Sequence, residues 1–376
     1  MSKIRLGMVG GGSDSLIGVV HRIAANMGDN FNLIGGAFSI DFKLAESFAA
    51  KLELDHTRVY KTIDDLIKSE HLLPENERMQ VITVATPNFL HYSMSKQLLE
   101  AGFHVICEKP VTTTSEEAIE LQQIAERRQA VFAVTHTYTG YPMVRQMKSM
   151  ISEGMIGKIQ KVDAQYYQGW INPVIHDPEE RKKVWRLDPS KAGSSCCMGD
   201  IGVHAFNMVE YTTGLTIDSV LCDLNMLYDD NLLDVDGSSF LRLSNGSKGI
   251  IRASQIATAE ENNLRIAVYG DKGGLKWEQE NPNYLYHVIE GQPMQVYKPG
   301  NPYTSDFEKK SVKLPSGHPE GIFDAMGNIY NGVAAAIREE DHFDGAYPKI
   351  IDGVRGMRFI EAALKSNAKG QVWEEI

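Results

Sequence analysis

The chain is poor in cysteine and has neither a cationic run nor a long apolar run. Its four cysteines are Cys107, Cys196, Cys197 and Cys222. Adjacent Cys196 and Cys197 cannot easily bond each other, and no C-x-x-C pair occurs. This excludes a disulfide framework and a cysteine-built zinc site, and no metal is expected. No uninterrupted apolar stretch approaches about 18 residues, so no bilayer-spanning helix is expected. The formal net charge is −11, and no lysine or arginine cluster breaks the acidic background. Nucleic acid and anionic membrane surfaces are therefore poor partners. The first residues, Met1-Ser2-Lys3-Ile4-Arg5, run straight into a strand pattern and a glycine cluster. They lack the charged, apolar and small-residue sections of an export signal, so a cytoplasmic location is expected.

What remains is the composition of an ordinary globular protein, with 43% hydrophobic and 23% charged residues over 376 positions. At about 100–200 residues per domain, two domains are expected. The first third alternates short apolar runs, at residues 4–9, 33–38, 81–85, 104–107 and 131–134, with helical patterns at 19–27, 42–51, 63–69, 92–101 and 115–127. Strands that are apolar on both faces and spaced by helices predict a doubly wound parallel sheet. After about residue 140 a helix near 143–153 leads into alternating segments at 158–168, 219–228, 239–243, 249–254 and 264–269. Asn245-Gly246 and Gly273-Gly274 read as hairpin punctuation, so a mainly antiparallel sheet is expected. Two helices near 321–338 and 349–365 close the chain, and the Pro/Gly-rich stretch 291–319 reads as a mobile arm.

Three groups of residues carry chemistry. The first is Val9-Gly10-Gly11-Gly12-Ser13-Asp14-Ser15-Leu16-Ile17-Gly18, a glycine-rich turn from strand to helix. Gly10 suits the tight turn, Gly12 lets backbone approach a pyrophosphate, and the helix start offers N–H groups at Ser13, Leu16 and Ile17. A strict G-x-G-x-x-G places its third glycine where Ser15 stands, so Gly18 serves only if the loop is longer. The competing reading is a plain turn. At the end of the second strand Ser39 holds the place that reads the adenosine ribose, with Asp41 two residues on. An acid there favours NAD, whereas serine tolerates the 2′-phosphate of NADP.

The second group is Glu108-Lys109-Pro110, at the carboxyl end of a strand, where ligands of open α/β sheets bind. Lys109 can reach a substrate hydroxyl there; a surface ion pair is the bland alternative. The third is Asp200-Ile201-Gly202-Val203-His204, whose acid and imidazole share a helix face and suit proton transfer. An aspartate capping the helix beside a buried histidine accounts for the same residues.

These groups occur in one order with Ala85-Thr86-Pro87-Asn88 and His91, Trp185-Arg186-Leu187-Asp188-Pro189, Gly317-His318-Pro319-Glu320-Gly321 and Gly353-Val354-Arg355. Together they resemble the Gfo/Idh/MocA oxidoreductases over nearly the whole chain. The resemblance implies an N-terminal Rossmann-type NAD(P)-binding domain at residues 1–138. It implies a C-terminal α/β domain at 139–376, with a large, mainly antiparallel open sheet for substrate and for assembly into a homodimer or homotetramer. It implies NAD or NADP as cofactor and a small-molecule sugar or cyclic polyol oxidised at a secondary alcohol. By position, Lys109, Asp200 and His204 match the catalytic group. Thr86, Pro87, Asn88, His91 and Glu108 match cofactor-side turns, and Pro110 a cis proline. His136, Tyr138, Tyr167 and Trp185 are polar or aromatic candidates for the substrate pocket, with core packing as their alternative. Two further functions fit the same residues. One is a net non-redox sugar conversion such as glycoside cleavage with recycled NAD; the other is a dinucleotide-binding regulator without turnover.

Overall fold

The computed structural model describes residues 2–13, 15–340 and 342–376. The chain folds as two compact units, one formed by Met1–Thr112, Glu116–Thr137 and Met326–Val354, the other by Thr113–Ser115, Tyr138–Ala325 and Arg355–Ile376. The chain enters the second unit at Thr113–Ser115 and again at Tyr138, and returns to the first over Met326–Val354.

The first unit alternates β1 (Ile4–Gly10), α1 (Leu16–Asn26), β2 (Phe31–Ala37), α2 (Phe42–Lys51), α3 (Ile63–Leu72), β3 (Val81–Ala85), α4 (His91–Glu100), β4 (His104–Cys107), α5 (Ser115–Arg128) and β5 (Phe132–Val134). Its five strands are parallel in the order β2-β1-β3-β4-β5. The order reverses at β1, which puts the loop after β1 at the switch point where such sheets bind ligands. Strands apolar on both faces are explained by burial: Leu6, Val81 and Ile106 pack with Ala24 and Ala25 of α1 and with Met326, Ile329 and Tyr330 from the late segment. Helix α1 begins three residues before the expected start, because the Ser15 hydroxyl accepts from Gly18 N at 3.1 Å and caps it.

The second unit runs through α6 (Pro142–Ser152), β6 (Ile159–Tyr167), three short helices α7 (Asn172–Ile175), α8 (Pro178–Arg181) and α9 (Pro189–Ala192), then α10 (Val203–Thr213). It continues through β7 (Ile217–Asn225), β8 (Asp236–Leu243), β9 (Lys248–Ser254), β10 (Asn263–Gly270), β11 (Gly273–Glu278), β12 (Leu285–Ile289), β13 (Gln295–Tyr297) and α11 (Asp306–Lys309). Helices α12 (Ile322–Ile337) and α13 (Ile350–Ala368) and the short β14 (Glu374–Glu375) close the chain. The sheet order is β13-β12-β11-β10-β6-β9-β8-β7-β14, antiparallel except where β6 pairs with β9. Alternation sends Val162, Ala164 and Tyr166 of β6 to the face that α6 and α10 cover.

Two expectations are corrected. Gly273 and Gly274 lie inside β11, paired with Ile289 and Val288, so the preceding turn is made by Asp271 and Lys272. The stretch 291–319 is not a free arm. It carries β13 and α11, and Thr304, Phe307, Glu308 and Ser311 are buried. The Glu308 carboxylate accepts from Gly300 N at 3.0 Å, and the Arg145 guanidinium donates to Ser311 Oγ at 2.9 Å. Short polar ties of this kind leave no hydropathy pattern.

Candidate active site

The first unit builds a cradle out of backbone. Gly10 has φ +74°, and a Cβ there would lie 2.4 Å from the Ala85 carbonyl oxygen. A Cβ on Gly12 would lie 2.7 Å from Phe38 O, and one on Gly18 would lie 2.3 Å from Gly11 O. Gly18 is therefore the glycine that lets α1 pack on the loop, and the extra residues sit before it. Beside the loop is a cavity of about 210 Å³ lined by Gly11, Gly12, Ser13, Ser15, Phe38, Ser39, Leu44, Ala45 and Phe48. Leu16 and Ile17 form the exposed first turn of α1, whose amides point out of the helix start. A cradle that any side chain would fill, ending on a helix N-terminus, fits the pyrophosphate and adenosine of a dinucleotide.

Ser39 follows β2 by two residues, half-buried at the cavity wall, and its hydroxyl accepts from Asp41 N at 3.1 Å. The Asp41 carboxylate accepts from Lys43 N at 3.0 Å and Leu44 N at 3.4 Å. It caps α2 and is committed there.

The turn Thr86-Pro87-Asn88 follows β3, and Glu108-Lys109-Pro110 follows β4. The Lys109–Pro110 peptide is cis. His91 is fully buried, with Nε2 2.8 Å from Thr86 O and Nδ1 2.8 Å from Pro110 O. Both ring nitrogens face backbone carbonyls, so His91 braces the two turns.

Glu108 is likewise internal. One carboxylate oxygen accepts from His21 Nε2 at 3.0 Å and Thr135 Oγ1 at 2.6 Å. On its other side His21 meets the Tyr330 hydroxyl at 2.8 Å, and that hydroxyl meets Thr83 Oγ1 at 2.9 Å. Burial would raise the Glu108 carboxyl, but the His21 hydrogen bond and charge, the Thr135 hydroxyl and the Lys109 charge bring it down to about 2. His136 is buried beside the same lysine; burial first and the Lys109 charge second lower it to about 3, so its imidazole is neutral.

The second unit builds its site from side chains. A π-helical turn, Met198–Gly202, leads directly into α10 and carries Asp200, with His204 on the first turn of α10. Widened turns of this type frequently mark functional positions. Asp200 does not cap the helix. Buried Asp234 does so, accepting from Cys196 N at 2.9 Å and Met198 N at 2.7 Å. Asp200 Oδ2 instead accepts from Gln255 Nε2 at 2.8 Å and lies 3.2 Å from Arg186 Nε.

His204 is 8% exposed, and the Tyr138 ring stands edge-on to it, with centroids 4.8 Å apart. The Tyr138 hydroxyl is hydrogen-bonded to that of Tyr166, which donates to Asn262 Oδ1 at 2.6 Å. Burial, then Tyr138, push the Tyr166 phenol well above its ordinary range, so it stays protonated. The register of β6 corrects Tyr167: it points to the opposite face, and Tyr166 is the tyrosine beside His204, at 6.1 Å between centroids. Trp185 joins the group through its neighbour. The Arg186 guanidinium carbon lies 4.5 Å from the Trp185 ring and 5.7 Å from that of Trp170. Gln255, Arg186, Trp170, Tyr166 and Asp234 were missed by sequence reasoning; for Arg186 the cue was its place between Trp185 and Leu187 in a shared motif.

Comparison with known proteins agrees with both halves. Residues 4–136 match the oxidoreductase family with an NAD-binding Rossmann fold, and residues 144–276 match the GFO/IDH/MocA C-terminal domain. The chain belongs to the Gfo/Idh/MocA oxidoreductase family. It is similar to an inositol dehydrogenase homolog of Azotobacter vinelandii solved with NAD+, at 34% identity and TM-score 0.93, covering 100% of this chain and 98% of that one. The same homolog, solved with NADH and myo-inositol, matches at 33% identity and TM-score 0.90, with the same coverage. An uncharacterized oxidoreductase, YfiI of Bacillus subtilis, is 34% identical over 99% of this chain and 96% of its own. Among the described residues no helix is long and apolar enough to cross a membrane.

Proposed function

We propose that this NAD(P)-binding oxidoreductase is a dehydrogenase that oxidises a secondary alcohol of a sugar or cyclic polyol, with myo-inositol as the first candidate. The observation that carries the reading is the Asp200–His204 turn, with its ionic and aromatic surround, in a chain similar to a homolog solved with NADH and myo-inositol. Levoglucosan dehydrogenase of Pseudarthrobacter phenanthrenivorans, 27% identical over the whole chain, is named for a sugar derivative and supports the substrate class.

The proposed holding residues for the cofactor are Gly10, Gly12, Ser13, Leu16 and Ile17 at the pyrophosphate, Ser39 at the ribose, and Thr86, Pro87, Asn88 and Lys109 toward the nicotinamide. When bound, nicotinamide supplies the acceptor for the hydride that leaves the carbinol carbon. His204 accepts the hydroxyl proton as that C–H bond breaks. Lys109 donates a hydrogen bond to the same oxygen, and Asp200 orients the substrate or the imidazole. The products are a ketone, reduced cofactor and one proton. His136, neutral by burial, and Tyr138 are assigned to the substrate side as hydrogen-bonding groups.

A panel of inositols, sugars and anhydrosugars, read by the absorbance of reduced nicotinamide with NAD+ and NADP+ in turn, tests the proposal. Turnover of a cyclic polyol supports it, and cofactor binding without turnover of any member overturns it. We also propose a cytoplasmic homo-oligomer. The face of the large sheet away from α6 and α10 exposes Phe240, Tyr269, Val288 and Val296, and an open sheet with such a face needs cover. Light scattering at micromolar concentration should give a multiple of 41.9 kDa; the monomer mass would overturn this.

A further inference from the structure

Gln255 stands one residue past the end of β9 and is fully buried. Its main chain is tied on both sides: its N–H donates to Val235 O at 2.9 Å, and its carbonyl accepts from Ile171 N at 3.3 Å. Its carboxamide is tied at both ends as well. Oε1 accepts from the Cys196 thiol at 3.1 Å, and Nε2 donates to Asp200 Oδ2 at 2.8 Å.

A carboxamide can turn over by 180°, exchanging donor and acceptor, and the surroundings decide which way it faces. A carboxylate only accepts and a thiol donates, so one orientation satisfies both partners. Cys196 is itself fixed, because its backbone amide donates to buried Asp234. The chain Asp234–Cys196–Gln255–Asp200 is thus a rigid brace running from the helix cap to the candidate catalytic carboxylate.

We propose that Gln255 is a positioning residue for the oxidation, aiming Asp200 and favouring its ionised form through an amide donor locked by the Cys196 thiol. The proposal rests on the reading that Asp200 takes part in the reaction. Arg186 supplies charge to the same oxygen but is partly exposed and stacked on tryptophan, whereas Gln255 supplies direction without charge. Tyr166 and Cys197 also lie close enough to Asp200 for its charge to help raise them, so both stay protonated at neutral pH. From inside the fold the Gln255 amide acts on Asp200 as a neutral, fully buried donor. Donation to a carboxylate favours the charged form, and a like charge in its place opposes it.

The test uses the full-length protein with 13Cγ-labelled aspartate, the Asp200 signal being assigned with Asp200→Asn. In Gln255→Met the Asp200 carboxyl should titrate about one pH unit higher than in wild type, and in Gln255→Glu higher still. Cys196→Ser keeps the donor to Oε1 and should titrate like wild type. Cys196→Val should move halfway, and it serves if replacing a buried glutamine costs the fold. With myo-inositol and NAD+, kcat of Gln255→Met should fall about 10–100-fold, its acidic limb should shift upward in pH, and KM should change by less than about threefold. An Asp200 titration unchanged in both Gln255→Met and Cys196→Val overturns the proposal. Full turnover by Asp200→Asn would instead overturn the role of Asp200, a separate failure, since the titration needs no substrate.

Discussion

The glycine turn of the first unit and the aspartate turn of the second both follow a short apolar segment and open a helix, yet they are made of opposite materials. The first is backbone. Its specificity lies in what is missing, since a single Cβ at Gly10, Gly12 or Gly18 would run into a carbonyl oxygen. The second is side chains, and Asp200 is held by Gln255 and Arg186, which stand 55 and 14 positions away in the chain. A backbone site tolerates no addition, and a side-chain site tolerates no removal. Substitutions in the two regions should therefore fail in different observables: binding and stability in one, turnover in the other.

The largest expected effect is on turnover. His204→Ala and Lys109→Ala should each lower kcat about 10²–10⁴-fold on the polyol substrate. Cofactor affinity, measured by calorimetry, should change by less than about tenfold, or about 1.4 kcal/mol. If both act on one proton transfer, as proposed, the double variant should lose far less than the product of the two, since such groups are not additive. Near-wild-type turnover by His204→Ala would move the base elsewhere, with Tyr138 and His136 the next positions to replace.

The buried pair of the first unit should answer in stability. His21→Leu leaves the buried Glu108 carboxylate with the Thr135 hydroxyl but without its imidazole partner, at a cost of up to about 3–5 kcal/mol. The fall in thermal midpoint measures it. The pH dependence has a definite sign. Glu108 is held at about 2 in the fold, below the usual carboxylate range, so its contribution is complete above about pH 4.5 and is lost as pH falls toward 2. Wild type should lose stability over that interval, and Glu108→Gln should lose less of it. Equal slopes for the two proteins would remove Glu108 from the account.

How much of this was legible follows the same division. Parallel strands apolar on both faces, and glycines where backbone must approach backbone, leave marks in residue type, and the first sheet and the cradle were read from them. The Asp200–His204 spacing was visible, but its supports were not. Gln255 follows an ordinary strand pattern, and Asp234 sits in a loop, so only the folded chain brings them to residues 196–200. Tyr166 and Tyr167 differ by one residue, and since side chains alternate along a strand, only the register says which one meets His204. The stretch 291–319 was misjudged for a related reason. Proline and glycine mark where regular structure stops, whereas the ties of Glu308 and Ser311 that hold the segment in place are single hydrogen bonds.

Gly18→Ala gives a smaller effect whose sign is diagnostic. On helix propensity alone, replacing glycine in α1 should stabilise by about 1 kcal/mol. The close approach argues the other way, since the added carbon would sit 2.3 Å from Gly11 O, where backbone cannot yield cheaply. The expected outcome is a lower thermal midpoint and NAD+ binding weakened about tenfold. A rise in both would show that the loop relaxes and that the cradle is looser than its distances imply.

The smallest and most selective effect should come from Ser39→Asp. Ser39 lines the cavity beside Gly12 and Phe38, and its hydroxyl accepts from the amide of Asp41. Asp41, two residues on, spends its carboxylate on the first amides of α2. Among the described residues that line the wall none is acidic, so wild type should accept NADP+ as well as NAD+. An aspartate in place of Ser39 would pair the two ribose hydroxyls of NAD+ and repel a 2′-phosphate. The ratio of kcat/KM for NAD+ over NADP+ should therefore rise about tenfold or more, chiefly through NADP+. Turnover with saturating NAD+ should stay within about twofold, because the ribose lies far from the reacting carbon. A wild type that already rejects NADP+ would mean that backbone at the Gly12–Ser13 turn reads the ribose. The substitution would then leave the ratio unmoved.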